Sequence, residues 1–286
     1  MPHATYLPGP TGRIAYSLMG TGPLVICVPG MGDLRSVYDP LASALAEAGF
    51  RVATMDLRGH GDSATTFDAY DDVAAGSDLI ALAEHLGEPA VLVGNSMGAG
   101  AACWAAAEAP QLVAGLVLLG PFVRDGKPNP LAQALYRVAL LRPWGMAVWK
   151  AYLRSAYPTR RDAAYQAHLA EIAENLRKPG HWDAFYRTTR TSHAPVEARL
   201  SDVHASVLVV MGEKDPDWPD PAAEARWVAG SLHAELLLVP GAGHYPQAEF
   251  PEMVGPSVVE WVQRVTHRED ASAVSRQRAA GDEHTG

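Results

Sequence analysis

Short, unbroken apolar runs alternate along this chain with longer stretches of helical periodicity. The runs lie at 24–28, 52–55, 90–93, 116–119, 207–211 and 236–239. None alternates apolar with polar residues, so each reads as a strand covered on both faces. Between and after them, 37–48, 73–86, 97–109, 222–228 and 253–265 place apolar residues at helical spacing. Strand and helix in that alternation imply a parallel sheet with crossover helices, an α/β fold. Ahead of these elements, 4–7 and 14–18 flank PGPTG and predict an antiparallel hairpin at the sheet edge.

The alternation stops between 121 and 204. That segment holds no strand-like run; short helical patterns are punctuated by Pro128, Pro130, Pro143, Pro158 and Pro179. The sheet pattern then resumes, so 121–204 reads as a helical cap inserted into a core made of 1–120 and 205–267. The polar, Ala- and Gly-rich tail 268–286 is expected to be disordered. With 286 residues, 48% of them hydrophobic, the chain can fill a large core. A net charge of -9 repels a phosphate backbone and argues against nucleic-acid binding by bulk attraction. No apolar run approaches the ~20 residues of a membrane span, and the N-terminus lacks a signal-peptide pattern. A cytoplasmic protein with no membrane partner is expected. Cys27 and Cys103 lie in apolar surroundings and read as buried thiols.

One turn stands out. The run 90–93 leads directly into Gly94-Asn95-Ser96-Met97-Gly98, and an Ala-rich helical pattern follows. A serine between two glycines at a strand-to-helix turn is the nucleophile-elbow pattern: the turn pushes the hydroxyl out of the sheet, and only small neighbours fit across it. The following helix N-terminus places amides where negative charge develops during acyl transfer. Two oxyanion donors are expected, the amide of Met97 and that of Met31 in the loop Pro29-Gly30-Met31-Gly32-Asp33. A serine also needs a base, and the base an orienting acid, in the chain order Ser, acid, His. Among eleven histidines, His244 alone follows the last strand in a Gly-rich loop, GAGHYP. His60 precedes Ser96 and is out of order. The acid should follow the strand at 207–211. Asp215 is the first choice and Asp217 the second, with Asp125, after an earlier strand, a third.

Taken together, PGMGD, DLRGHGDS, GNSMG, GEKD and GAGHYPQAEFPE resemble the α/β-hydrolase superfamily from Ala4 to about Val265. The resemblance implies an eight-stranded, mostly parallel sheet flanked by helices, a Ser96–Asp215–His244 triad, and a substrate pocket between sheet and cap. Ser96 sets the chain apart from relatives with an aspartate nucleophile. GNSMG is similar to the elbow of carbon–carbon bond hydrolases. The expected activity is hydrolysis of a small-molecule ester, lactone or thioester through an acyl-enzyme, without cofactor or metal. The alternatives are a carbon–carbon bond hydrolase, or a non-hydrolytic lyase, oxygenase or ligand receptor on the same fold.

The cap carries many of the aromatic residues, and Trp144, Trp182 and Tyr186, with Tyr245 beside the base, are the expected substrate-binding residues. Between 121 and 200, thirteen Lys and Arg face six Asp and Glu, against an acidic remainder. Such asymmetry steers ligands and suggests a carbonyl substrate that is anionic or delivered on an acidic carrier. Arg160 and Arg161 are the pair on which that idea is first placed.

Overall fold

All six runs are strands in the computed structural model, which describes residues 4–126 and 130–282. The edge hairpin comes first, as β1 (Thr5–Pro8) and β2 (Arg13–Met19), paired antiparallel. Then follow β3 (Leu24–Val28), α1 (Asp39–Glu47), β4 (Arg51–Met55), α2 (Asp72–Leu86), β5 (Ala90–Asn95), α3 (Met97–Glu108) and β6 (Val113–Leu119). Five helices interrupt the sheet: α4 (Pro130–Ala139), α5 (Gly145–Ala156), α6 (Ala163–Asn175), α7 (His181–Thr188) and the single-turn α8 (Ala194–Glu197). The sheet resumes with β7 (Ser206–Gly212), α9 (Pro221–Leu232), β8 (Glu235–Val239), α10 (Pro246–Glu249) and α11 (Pro251–Asp282).

The eight strands lie in the order β1-β2-β4-β3-β5-β6-β7-β8. From β4 to β8 all neighbours are parallel. The chain steps outward from β3 to β4 and then returns to the other side of β3 to form β5. This reversal opens a crevice at the carboxyl ends of β3 and β5, where open α/β sheets bind ligands.

Every residue of β3, β5 and β6 is buried, which is why those runs do not alternate. One apolar layer forms beneath α2, α3 and α9, with Leu79, Leu82 and Val228. A second forms beneath α1 and α11 and continues into the cap through Trp149, Leu153, Tyr157 and Phe185. The cap is therefore anchored by the same apolar layer that covers one face of the sheet. Helix α3 is buried along nearly its whole length, which its Gly- and Ala-rich sequence permits because small side chains let it approach both the sheet and α2. Among the described residues, no helix is long and apolar enough to cross a membrane.

The last helix departs from expectation. The sequence pattern ended it at 265 and left 268 onward without structure, whereas α11 runs to Asp282. Its packing stripe is Val254, Val258, Trp261, Val262 and Val265. Beyond it, SAVSRQRAA contains several good helix formers that extend an already nucleated helix, at low cost because nucleation is the expensive step.

Trp261 lies against the Gly115 backbone and is almost fully buried. Trp261→Ala is expected to cost about 3–5 kcal/mol of stability in denaturant unfolding. Truncation after His267 is expected to leave the melting temperature unchanged, and a large fall would place packing in the helix's last turns.

Candidate active site

Strand β5 ends at Asn95 and α3 begins at Met97, so Ser96 alone makes the turn, at φ 56° and ψ -122°. Among the described non-glycine residues, only Ser96 and His233 have positive φ, a conformation that costs an L-residue energy unless its surroundings enforce it. A Cβ on Gly94 would stand 2.3 Å from the Gly98 carbonyl oxygen, and one on Gly98 would stand 2.5 Å from that of Val28. The Ser96 amide donates to Leu119 O at 3.0 Å, and its carbonyl accepts from the amides of Ala99 and Phe122 at 3.0 and 3.2 Å. Asn95, a residue the sequence pattern left unassigned, is buried there. Its Nδ2 donates to Leu119 O at 2.9 Å and to His244 O at 3.1 Å, tying the elbow to the histidine loop.

The loop after β3 passes directly over the serine: a Cβ on Gly30 would lie 2.7 Å from Ser96 Cβ. Met31 follows in that loop and Met97 opens α3. Neither amide has a hydrogen-bond acceptor among the described residues, which leaves both open to an oxyanion. The loop has a support that chain order alone had set aside. His60 Nε2 accepts the Gly32 amide at 2.9 Å, and its Nδ1 donates to Arg58 O at 2.8 Å. Burial pushes His60 down to about 4, so it stays neutral and keeps its acceptor nitrogen. The sequence signal was RGHGDS, read only as a histidine in the wrong order.

His244 follows β8. Its Nδ1 lies 2.7 Å from Asp215 Oδ2 and 3.2 Å from Asp217 Oδ2, so both of the leading acid candidates reach the imidazole. Asp215 is buried and also accepts the Asp217 amide at 3.0 Å. Asp217 is less buried and accepts from the Tyr152 hydroxyl at 2.8 Å. Burial raises Asp217, and the Asp215 charge adds to this against the attraction of His244. Asp125 is bound elsewhere, to Ser192 Oγ and the His193 amide. Burial alone would lower His244, but the charges of Asp215 and Asp217 and the Asp215 hydrogen bond raise it to about 9. Donor atoms of Asp215, Asp217 and His244 lie within 4.8 Å of one another, a spacing that could hold a cation. Here they are engaged with one another, in the pattern of an imidazolium held by two carboxylates.

Ser96, His244 and Met31 share the wall of a cavity of about 330 Å³ between sheet and cap. Tyr245 lies on that wall, stacked on Tyr157 at 4.4 Å and edge-on to His244 at 5.1 Å. The other three aromatic candidates lie away from it. Trp144 is half exposed and donates to Val138 O. Trp182 packs on Phe185 and borders a separate cavity with Arg142 and Leu176. The Tyr186 hydroxyl points to Arg137 O at 3.4 Å. Trp149 and Tyr152 of α5, stacked at 4.8 Å, take the wall instead. Helical spacing alone does not tell which face of a cap helix looks inward. Arg160 and Arg161 are also outside the cavity wall. Arg160 binds Asp162 and Ala248 O, and Arg161 binds backbone carbonyls at Tyr157 and Arg160, so both staple the cap.

Residues 21–249 match the family model described as Serine aminopeptidase, S33. The chain belongs to that α/β-hydrolase family. Over 264 residues this hydrolase is 28% identical to the 2-(acetamidomethylene)succinate hydrolase of Mesorhizobium japonicum, covering 88% of this chain and 92% of the relative. It is 29% identical over 268 residues to the 2-hydroxy-6-oxononadienedioate/2-hydroxy-6-oxononatrienedioate hydrolase of Klebsiella pneumoniae, covering 86% of each. Its fold matches a solved hydrolase from Pseudomonas aeruginosa with a TM-score of 0.77 and 24% identity, covering 91% of this chain and 98% of the other.

Two outcomes test the site. A base that already carries its proton cannot accept another, so kcat/KM is expected to rise with pH along a limb well above the ordinary imidazole range, towards about 9. Asp217→Asn removes one of the two carboxylates and is expected to move the limb to lower pH. An unshifted limb would remove Asp217 from the account. His60→Ala is expected to lower kcat by about 10²-fold, the scale of a misplaced oxyanion donor, with a smaller change in KM.

Proposed function

We propose that this hydrolase acts by acyl transfer through Ser96. The observation that carries the reading is the strained turn that presents Ser96 in one cavity with His244, whose far nitrogen is held by Asp215. Neutral His244 takes the hydroxyl proton as Ser96 Oγ attacks the substrate carbonyl. The amides of Met31 and Met97 bind the oxyanion. The imidazolium, oriented and stabilised by Asp215, returns the proton to the leaving oxygen or sulfur, and the carbonyl–leaving-group bond breaks. Water then enters, His244 takes its proton, hydroxide adds to the acyl-enzyme, and the proton goes back to Ser96 as the acid departs. Tyr152 and Asp217 hold the imidazole in place from the cap side.

An ester, lactone or thioester of a small molecule is the substrate class this machinery suits best, since the imidazolium can hand its proton directly to the leaving oxygen or sulfur. Carbon–carbon bond hydrolysis is a second reading, favoured by the Klebsiella relative's name and by the GNSMG elbow. It uses the same serine and histidine, with a carbanion leaving group that takes its proton on carbon.

The test is kcat/KM on p-nitrophenyl esters of increasing chain length, with Ser96→Ala as control. Wild-type turnover is expected, falling by about 10⁴-fold or more in the variant. Turnover that survives Ser96→Ala overturns acyl transfer through this residue. Esters left intact while a ring-cleavage dienedioate is cleaved would select the second reading.

A further inference from the structure

The Ser96 cavity contains a second buried histidine–carboxylate pair that the acyl-transfer steps do not use. His193, between α7 and α8, lies on the cavity wall, and its Nδ1 is 2.6 Å from Asp72 Oδ2. Both side chains are buried, and the other Asp72 oxygen has no hydrogen-bond partner. His193 is therefore the one polar side chain that Asp72 touches among the described residues. Burial raises Asp72, and the hydrogen bond and charge of His193 oppose that rise. Burial lowers His193, but the hydrogen bond and charge of Asp72, with the charge of Asp125, outweigh it and raise the group. Nδ1 is committed to Asp72, so Nε2 is the ring's one polar atom left for a bound molecule.

A second cation stands on the same wall. Arg124 gives Nε to Glu224 at 2.9 Å and Nη2 to the same carboxylate, and its guanidinium lies 3.6 Å over the Trp227 ring. That fork is rigid, and Nη1 has no partner among the described residues. The Phe122 ring lies between the two histidines, 5.5 Å from His193 and 5.8 Å from His244, centroid to centroid. A molecule whose carbonyl sits at Ser96 can thus place its other end at His193 by running along one aromatic ring.

We propose that His193 and Arg124 form a subsite for a carboxylate borne by the substrate at the end remote from the scissile carbonyl. This rests on the acyl-transfer reading of the same cavity and names its substrate class: half-esters and related acyl derivatives of short dicarboxylic acids. The anions nearby sharpen the choice of position. Asp125 is taken up by Ser192 and the His193 amide, and Asp217 by Tyr152 and His244. A carboxylate lodged nearer the triad meets Asp217, whereas at His193 it meets the ring Nε2 on the wall that also carries Arg124. The two curated relatives described above are named for a succinate and a dienedioate, in keeping with an acid at the far end.

The experiment has a binding arm and a kinetic arm. Calorimetry with succinate, glutarate and adipate at pH 7 is expected to show binding of at least one diacid by the wild type. His193→Gln is expected to weaken it by about 10- to 100-fold, the scale of a charge-assisted hydrogen bond. Arg124→Gln should weaken it in the same direction, and both variants are checked for an unchanged melting temperature. In kinetics, p-nitrophenyl hydrogen glutarate is compared with p-nitrophenyl 5-methylhexanoate, in which an isopropyl group replaces the carboxylate. The wild type is expected to favour the anionic ester, and His193→Gln to collapse the ratio. The ratio should also fall as pH rises and His193 loses its proton. His244 and Asp217 act on both esters and cancel from the ratio, Asp72 and Asp125 are the carboxylates that face His193, and Arg124, paired with Glu224, is raised further above its ordinary value. No binding of any diacid, or binding that His193→Gln leaves unchanged, overturns the proposal. Failure of both esters to turn over while the diacids bind as expected would instead count against the acyl-transfer reading alone.

Discussion

Ser96 holds a backbone conformation that an L-residue avoids, and the site depends on the contacts that leave it no other. The Gly94 and Gly98 backbones meet across the turn at distances that admit no side chain. The Ser96 amide donates to Leu119 O and the Phe122 amide donates to Ser96 O, binding the turn to the end of β6, while Asn95 bridges to the His244 carbonyl. Ser96, the His244 loop and the neighbouring strand end are thus one hydrogen-bonded unit. Strain of this kind persists only where surroundings over-determine it, and here they do so from three sides.

Histidine serves three different purposes within this one region, and environment alone separates them. His60 is buried beside backbone groups and is driven neutral, which suits an acceptor that props the loop after β3. His244 is buried beside two carboxylates and is driven towards its charged form. His193 has one buried carboxylate and is shifted in the same direction. The imidazole is the same in each case; what differs is whether a carboxylate hydrogen-bonds the ring.

The cap does more than cover the cavity. The amide of His244 donates to Ala156 O at the end of α5, so a carbonyl of that helix holds the His244 main chain. Glu249 accepts the Gly243 amide from the core and the Thr159 amide and hydroxyl from the cap, joining the two around the histidine loop. Tyr152 reaches from α5 to Asp217. A movement of these helices would therefore disturb the geometry around His244 as well as the size of the cavity.

The sheet, the helical stretch between β6 and β7 and the residues gathered around Ser96 were legible in the sequence because each rests on a local rule. A strand buried on both faces must be an unbroken apolar run, and a one-residue strand-to-helix turn needs glycines at two fixed offsets. A base loop after the last strand is found by order along the chain. The extension of α11 was not legible, because composition that suits solvent also suits a helix once another segment has nucleated it. Nor was the choice of wall residues: Trp149 and Trp182 lie in similar cap patterns, and only packing turns one towards Ser96 and the other towards Arg142. Chain order also discarded His60, since a structural histidine obeys no order rule. By itself the sequence determined which local conformations were available and which reactive groups were on hand. Tertiary structure decided which charges share a buried space: whether one carboxylate or two face His244, and that Asp72, 121 residues from His193 along the chain, lies against its imidazole. Coulombic and desolvation energies depend on distance through space, and separation along the chain carries no information about it.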